Sequence, residues 1–331
     1  MLRLATVGSG KIVGWFLDGL KNVPELRHTA VYSRTRERGI QFATQHNLPE
    51  SAVWTDLEQM ADSGEIDAVY LATPNRFHAQ QAEIFLKRGI HVLCEKPAVV
   101  TSEQLERLLA AAEESGTVFM EAIMAPHQPR FAVLQKAVED IGKLSSAVLN
   151  FSQLSSRYPA LLSGELPNIF NRELCAGALM DIGVYDVYLA LALFGVPERV
   201  EASAHFLPGG ADGSGGATFV YPWGNCQMNW SKTGQSRAAS EIVGDRGTVT
   251  FSPVSRILNI RLWKNDGESE LLFDEEPHCA SLGHEAADFA RYILAREESA
   301  GEYARMVQLT RDGTRLMEQI RAKCGIRFDV E

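Results

Sequence analysis

The chain has 331 residues, 45% of them hydrophobic and 22% charged, with a formal net charge of -10. That length accommodates about two domains, each able to bury its own core. The composition excludes disorder and fibrous repeats, and the acidity argues against a general nucleic-acid surface, whose mark is a basic stripe. Five scattered cysteines, Cys94, Cys175, Cys226, Cys279 and Cys324, include no CxxC pair, which points to reduced thiols, no metal site and a cytoplasmic location. No apolar run approaches the ~20 residues needed to cross a bilayer, and the start, MLRLATVGSG, passes from strand directly into a Gly-rich turn. Neither a membrane nor a nucleic-acid partner is expected.

Residues 2–7 form a β-rich run ending at Gly8, and 11–20 carry a helical pattern through Ile12, Trp15, Phe16 and Leu20. Between them, Gly8, Ser9, Gly10, Lys11 and Ile12 make a turn whose glycines let backbone approach a diphosphate, while the helix start offers free N–H groups. The third position of that fingerprint is Val13. A second strand, 29–32, ends at Ser33 and Arg34, about twenty residues on, where a dinucleotide site selects its ribose. A hydroxyl and a guanidinium there, instead of a carboxylate, favour NADP over NAD, with NAD still possible. Arg36 and Arg38 either add to that field or lie on a solvated helix face.

Strand 67–72 is stopped by Pro74, leaving Thr73 and Asn75 at a third strand end to touch ribose or diphosphate. His78 opens the following helix, either as a surface histidine or as a member of the site. The apolar run 90–94 reads as a buried parallel strand that delivers Glu95, Lys96 and Pro97 to the ligand-binding rim. Lys96 is then either a solvated loop lysine or the centre of the chemistry. A helix at 102–114 and a strand at 117–120 complete a doubly wound parallel sheet over 1–121.

In the expected second domain, 122–331, the texture changes from Val148 on to β-branched, alternating runs, with examples at 147–151, 200–206, 217–221, 226–230, 239–243, 248–251 and 257–263. Short turns such as Trp223-Gly224-Asn225 and Asp245-Arg246-Gly247 make these a mainly antiparallel sheet. One face should pack on helices. The other, if apolar, is a patch that monomers rarely expose, so a homodimer or homotetramer through this sheet is expected. Helical spacing from Ala178 onward puts Asp181 and Tyr185 four residues apart on one face. A carboxylate in so apolar a helix needs a partner, for which an amine such as Lys96 is suitable, and a phenol beside both can exchange a proton. The other reading is that Asp181 caps nearby backbone and Tyr185 fills core.

GSGKIV at 8–13, ATPNRFH at 72–78, EKP at 95–97, MEA at 120–122, CAGALMDIGVY at 175–185, GDRG at 244–247 and the pair Glu285 and Phe289 together resemble the Gfo/Idh/MocA oxidoreductase family. Tyr185, standing where many members carry histidine, is similar to the dihydrodiol dehydrogenase-like branch; Pro126 and His127 stand where related members often show Arg-Phe. The resemblance implies an NAD(P)-binding Rossmann domain, a C-terminal α+β substrate domain with an open sheet, and a site in which Lys96, Asp181 and Tyr185 are catalytic. The expected reaction is hydride transfer between nicotinamide and a secondary alcohol or carbonyl of a sugar, polyol, dihydrodiol or dicarbonyl. Tyr185 would be the general acid/base, Lys96 would bind the reacting oxygen, and Asp181 would orient the lysine. The alternative is a non-catalytic NAD(P)-sensing regulator of the same fold, which has no need of that trio. Polar residues Ser156, Arg157 and Tyr158 are pocket candidates or loop surface.

Overall fold

The computed structural model describes residues 1–330, the side chains of His278 and Cys279 excepted. Cys279, counted above among the thiols, and Glu331 lie outside the described residues. The chain divides into two compact units, Met1–Ala122 with Pro277–Thr310, and Ile123–Glu276 with Arg311–Glu331.

The first unit alternates β1 (Leu2–Val7), α1 (Lys11–Gly19), β2 (Leu26–Tyr32), α2 (Arg36–Gln45), β3 (Val53–Trp54), α3 (Leu57–Asp62), β4 (Ala68–Leu71), α4 (Asn75–Leu86), β5 (His91–Glu95), α5 (Ser102–Ser115) and β6 (Phe119–Ala122). The strands are all parallel, in the order β3-β2-β1-β4-β5-β6. Helices cover both faces, so the central strands are apolar without alternation: Val69 and Leu71 of β4 and Val92 and Cys94 of β5 are wholly buried. Phe85, Leu86, Leu105 and Leu108 from α4 and α5 close over them. The expected doubly wound sheet is therefore present, with β3 added at its edge; two residues are too short to leave a period in the sequence.

In the second unit, α6 (Met124–His127) and α7 (Pro129–Asp140) lead into β7 (Leu144–Ser152), then α8 (Tyr158–Leu162) and a π-helical turn (Leu179–Gly183) that runs into α9 (Val184–Phe194). There follow β8 (Arg199–Phe206), β9 (Asp212–Tyr221), β10 (Gly224–Ser231), β11 (Ser240–Gly244), β12 (Gly247–Phe251), β13 (Ile260–Lys264) and β14 (Ser269–Phe273). They form one eight-stranded sheet, β14-β13-β12-β11-β7-β10-β9-β8, antiparallel except where β7 and β10 run parallel. In β10 the alternation is clean: Cys226, Met228 and Trp230 are buried and Asn225, Gln227 and Asn229 exposed. Register continues the outward row through Glu201, Thr218, Gln227, Val148, Glu241, Thr250 and Arg261. Apart from Val148 that row is polar, and toward the β13–β14 edge the exposed side chains include the apolar Trp263 and Leu271.

Two assignments differ from the sequence reading. Within Arg172–Phe194 an 18-residue stretch with a mean hydropathy of 1.5 is long and apolar enough, by that measure alone, to cross a membrane, contrary to the expectation that no run is. This stretch is 78% buried within the fold, and its apolarity is that of a helix packed against the inner face of a sheet. Second, α10 (His278–Leu294) and the start of α11 (Arg296–Cys324) belong to the first unit, not to a continuous 122–331 block. Helix α10 packs on α1 so closely that a Cβ on Gly283 would lie 2.9 Å from the Gly19 carbonyl oxygen. Periodicity shows which face of α10 is buried and is silent on what buries it.

Candidate active site

The first unit gathers its predicted residues along one edge of the parallel sheet, because a parallel sheet brings every strand's carboxyl end to the same side. Gly8 follows β1 at φ +118, a conformation reserved in practice for glycine, and a Cβ there would lie 2.8 Å from the Ala72 carbonyl oxygen. A Cβ on Gly10 would meet nothing within 4 Å, so the turn is open on its outer side. Gly10 is the N-cap of α1 and no side chain caps that helix; the Val13 N–H turns back to the Gly10 carbonyl at 3.1 Å, which leaves those of Lys11 and Ile12 at the open turn. Ser9 and Lys11 are exposed and Ile12 half-buried. An anionic diphosphate fits this cradle.

Ser33 is buried at the end of β2, its backbone N–H donating to the Trp54 carbonyl at 3.0 Å, and Arg34 beside it is exposed. Arg36 is partly committed, donating to the Val53 carbonyl at 3.4 Å. Thr73 and Asn75 follow β4, half-buried, and Thr73 Oγ1 donates to Gln81 Oε1 at 2.6 Å. His78 is 1% exposed, with Nδ1 3.0 Å from the Pro97 carbonyl and Nε2 2.7 Å from the Thr73 carbonyl. Burial pushes its pKa down, and a neutral ring donates to one of these two carbonyls, so His78 sits between the loops after β4 and β5.

The segment after β5 is tied down residue by residue. The backbone N–H of Lys96 donates to Glu95 Oε2 at 3.3 Å and that of Ala98 to Glu121 Oε1 at 2.8 Å. The N–H of Val100 donates to Gln104 Oε1 at 2.9 Å, and Thr101 with Gln104 forms the capping box of α5. Glu95 itself accepts from the Tyr70 hydroxyl, and the Tyr70 ring stacks on Phe16 at 3.7 Å. Lys96 therefore projects, half-buried, from a backbone with little freedom, the arrangement that preorganised chemistry requires. Sequence reasoning missed Tyr70, Gln104 and the role of Glu121. For Glu121 the sequence offered the MEA run at 120–122, but only the register, with β6 beside β5 and Cys94 opposite Glu121, shows what it touches.

Beside Glu95 and Lys96 lies Glu285 of α10, 0% exposed with neither carboxyl oxygen hydrogen-bonded. Burial and the neighbouring Glu95 push its pKa well above the ordinary 4.5, and the Lys96 charge offsets only part of this. The folded state thus retains a proton that the unfolded chain gives up. Its stabilising effect is fully present below pH ~4.5 and is lost as pH rises toward the folded value. Glu285→Gln should accordingly gain in Tm over the parent as pH rises from ~4.5 to 8, as read by thermal scanning. An identical pH profile for the two proteins would contradict a protonated Glu285.

In the second unit the helix bearing Asp181 and Tyr185 is anchored at its start. Gly177, at φ +154, admits Asp212, whose Oδ1 would stand 2.1 Å from any Cβ there. Asp212 Oδ2 accepts from Leu179 N–H at 2.7 Å and from Trp230 Nε1 at 2.9 Å, placing a carboxyl at the positive end of the helix. Asp181 sits in the π-helical turn Leu179–Gly183, a distortion common at functional positions. Its Oδ2 is 2.5 Å from Lys232 Nζ, a cation the sequence reading did not select because it stands alone after β10. Tyr185 is buried, its ring 5.6 Å from that of Phe151 on β7. Of the loop candidates, Ser156 and Arg157 are exposed, whereas Tyr158 lies half-buried with its ring 6.2 Å from Phe170.

A parallel sheet in this strand order, with an open Gly-rich turn on its central strand and a rigidly mounted lysine two strands away, defines a dinucleotide-dependent oxidoreductase. Residues 2–123 match the model of the oxidoreductase family with an NAD-binding Rossmann fold, and residues 131–250 match the GFO/IDH/MocA C-terminal domain. The chain is 36% identical over 331 residues to the scyllo-inositol 2-dehydrogenase (NADP(+)) IolU of Bacillus subtilis, covering 100% of this chain and 99% of that one. It is 26% identical to the trans-1,2-dihydrobenzene-1,2-diol dehydrogenase of Danio rerio, over 99% and 98% of the two chains. Among solved structures, a 3-ketoreductase from Actinomadura kijaniata in complex with NADP and TDP-benzene superposes with a TM-score of 0.84 at 22% identity, over 98% of each chain. The chain belongs to the GFO/IDH/MocA family and is an NAD(P)-dependent oxidoreductase.

Proposed function

We propose that the protein is an NADP(H)-preferring dehydrogenase/reductase acting on a secondary CH–OH or its carbonyl in a polyol or sugar, a dihydrodiol or a dicarbonyl. The observation that carries this reading is Lys96, held by an immobilised loop on the sheet edge that bears the open Gly8 and Gly10 turn. Gly8 through Ile12 would hold the diphosphate, Ser33 and Arg34 the ribose 2′ position, and Thr73 and Asn75 the groups after β4. When bound, the cofactor accepts or supplies the hydride. The chain's own residues do the rest: Lys96 binds the reacting oxygen, Tyr185 exchanges its proton as general acid/base, and Asp181 orients the ammonium and balances its charge. The IolU relationship extends over the whole chain, which makes polyols such as scyllo-inositol the first substrates to try.

The test is a panel of inositols, sugars, dihydrodiols and dicarbonyls followed by nicotinamide absorbance. Turnover of at least one class is expected; dinucleotide binding with no turnover across the panel would instead favour a non-catalytic sensor. Cofactor choice is a separate expectation. The exposed Arg34 guanidinium supplies a charge-assisted contact to a 2′-phosphate, so NADPH should bind about tenfold or more tighter than NADH. A tighter Kd for NADH in calorimetric titration would defeat it. We further propose a cytoplasmic protein that forms a homodimer or homotetramer through the outer face of the eight-stranded sheet, whose exposed apolar side chains include Trp263 and Leu271; a solution mass measurement checks this, and a monomer would refute it.

A further inference from the structure

Lys232 is an unusual lysine. It follows β10 directly, and its backbone is committed on both sides, its N–H donating to the Gly213 carbonyl at 2.8 Å and its carbonyl accepting from Ser155 N–H at 2.9 Å. Its side chain is only 9% exposed, and its ammonium lies 2.5 Å from Asp181 Oδ2, while the Asp181 side chain remains 31% exposed. The elements packed against the Asp181 turn are β7, β9, β10 and α9. They carry two acids, Asp186 and Asp212, with Cys226 and the phenols Tyr185, Tyr188 and Tyr221, and no Lys or Arg. Lys232 is thus a cation that this part of the second unit supplies to Asp181.

We infer that Lys232 is a positioning residue for the proposed reaction: it holds the Asp181 carboxylate ionised and in one orientation, so that Asp181 can serve the reacting groups through its exposed side. This rests on the reading of Asp181 and Tyr185 given above. The physical reason is charge balance and geometry. A carboxylate 2.5 Å from a mostly buried ammonium is held in its charged form and in one orientation, whereas with Lys232 removed it keeps less of that stabilisation and is freer to turn. The buried stem of Lys232 also fixes the geometry, because an ammonium on an immobilised backbone has few alternative places to go. Such a group touches no substrate, and its loss acts through Asp181.

The experiment is a double-mutant cycle with Lys232→Met, Asp181→Asn and the pair, assayed with NADP+ and scyllo-inositol, or with the best substrate of the panel. Lys232→Met is expected to lower kcat by about 10- to 100-fold, the scale of a misplaced catalytic group, with the Kd for NADPH unchanged. In the Asp181→Asn background the same change should add little, since the two residues act as one unit. Lys232→Arg should recover much of the rate by restoring the charge. If Lys232→Met does not fold, Lys232→Gln, which keeps a donor but not the charge, carries the same comparison. A second readout needs no turnover: the Asp181 carboxyl, followed by carbon NMR, should titrate at higher pH once Lys232 is removed. Parent-like kcat in Lys232→Met, additive losses in the cycle, or an unmoved Asp181 titration would each overturn the inference. Absence of turnover in the parent would instead count against the proposed function and leave the NMR arm to decide this point.

Discussion

Lys96→Met should lose essentially all turnover, by about 10³-fold or more, while NADPH still binds with a Kd within a few-fold of the parent. The magnitude follows from what the side chain is asked to do. One preorganised donor to a developing oxyanion contributes about 10²–10³ in kcat, and the lysine also brings a full positive charge. Binding survives because the contacts that would hold the dinucleotide come mainly from the backbone turn at Gly8 and Gly10, the first turn of α1, and residues after β2 and β4. The fold should survive as well. Methionine keeps most of the stem, and the backbone ties to Glu95 and Glu121 do not involve the amine. Removing the cation leaves Glu95 and Glu285 less compensated, and Glu285, already biased toward its neutral form by burial, can retain its proton. Steady-state rates set beside a binding titration make the check. A Lys96→Met protein that turns over near the parent rate would remove Lys96 from the chemistry.

Tyr185→Phe should reduce kcat by roughly 10²- to 10⁴-fold, the range for a general acid/base group, with little change in Tm. The substitution deletes one hydroxyl and keeps the ring in place against Phe151, 5.6 Å away. The structural cost is accordingly small, and a large kinetic effect with unchanged melting separates a chemical role from core filling. Equal rates for the two proteins would assign Tyr185 to packing alone. Taken with the Lys232 cycle, this variant also distinguishes a proton-transfer defect from a misplaced carboxylate, since Lys232→Arg has a route to recovery and Tyr185→Phe has none.

Much of this arrangement was legible before any coordinates. Turn chemistry around Gly8 and Gly10, the stop at Pro74 and the apolar run ahead of Lys96 are local signals, and each reports a local outcome: a strand end carried to a sheet edge. Helical spacing put Asp181 and Tyr185 on one face. It did not show that Asp181 sits in a π-helical turn, because a single extra backbone residue leaves the apolar pattern almost unchanged. His78 was open between surface and site, and the fold buries it with its ring nitrogens against the Pro97 and Thr73 carbonyls, a placement that depends on the path of the neighbouring loop.

The amino-acid sequence alone determined the two kinds of sheet, the edge at which Lys96 emerges and the helix that carries Asp181 and Tyr185. These depend on residue type and spacing within a few turns of chain. Only the tertiary structure decided that α10 returns to the first unit with a buried, unpartnered Glu285, and which residues line the outward row of the large sheet. It also decided that the carboxylate of Asp181 meets Lys232, 51 residues along the chain. Pairings of this kind are set by which surfaces pack together, and a lone charged residue in a sequence carries no record of the partner that burial will assign to it.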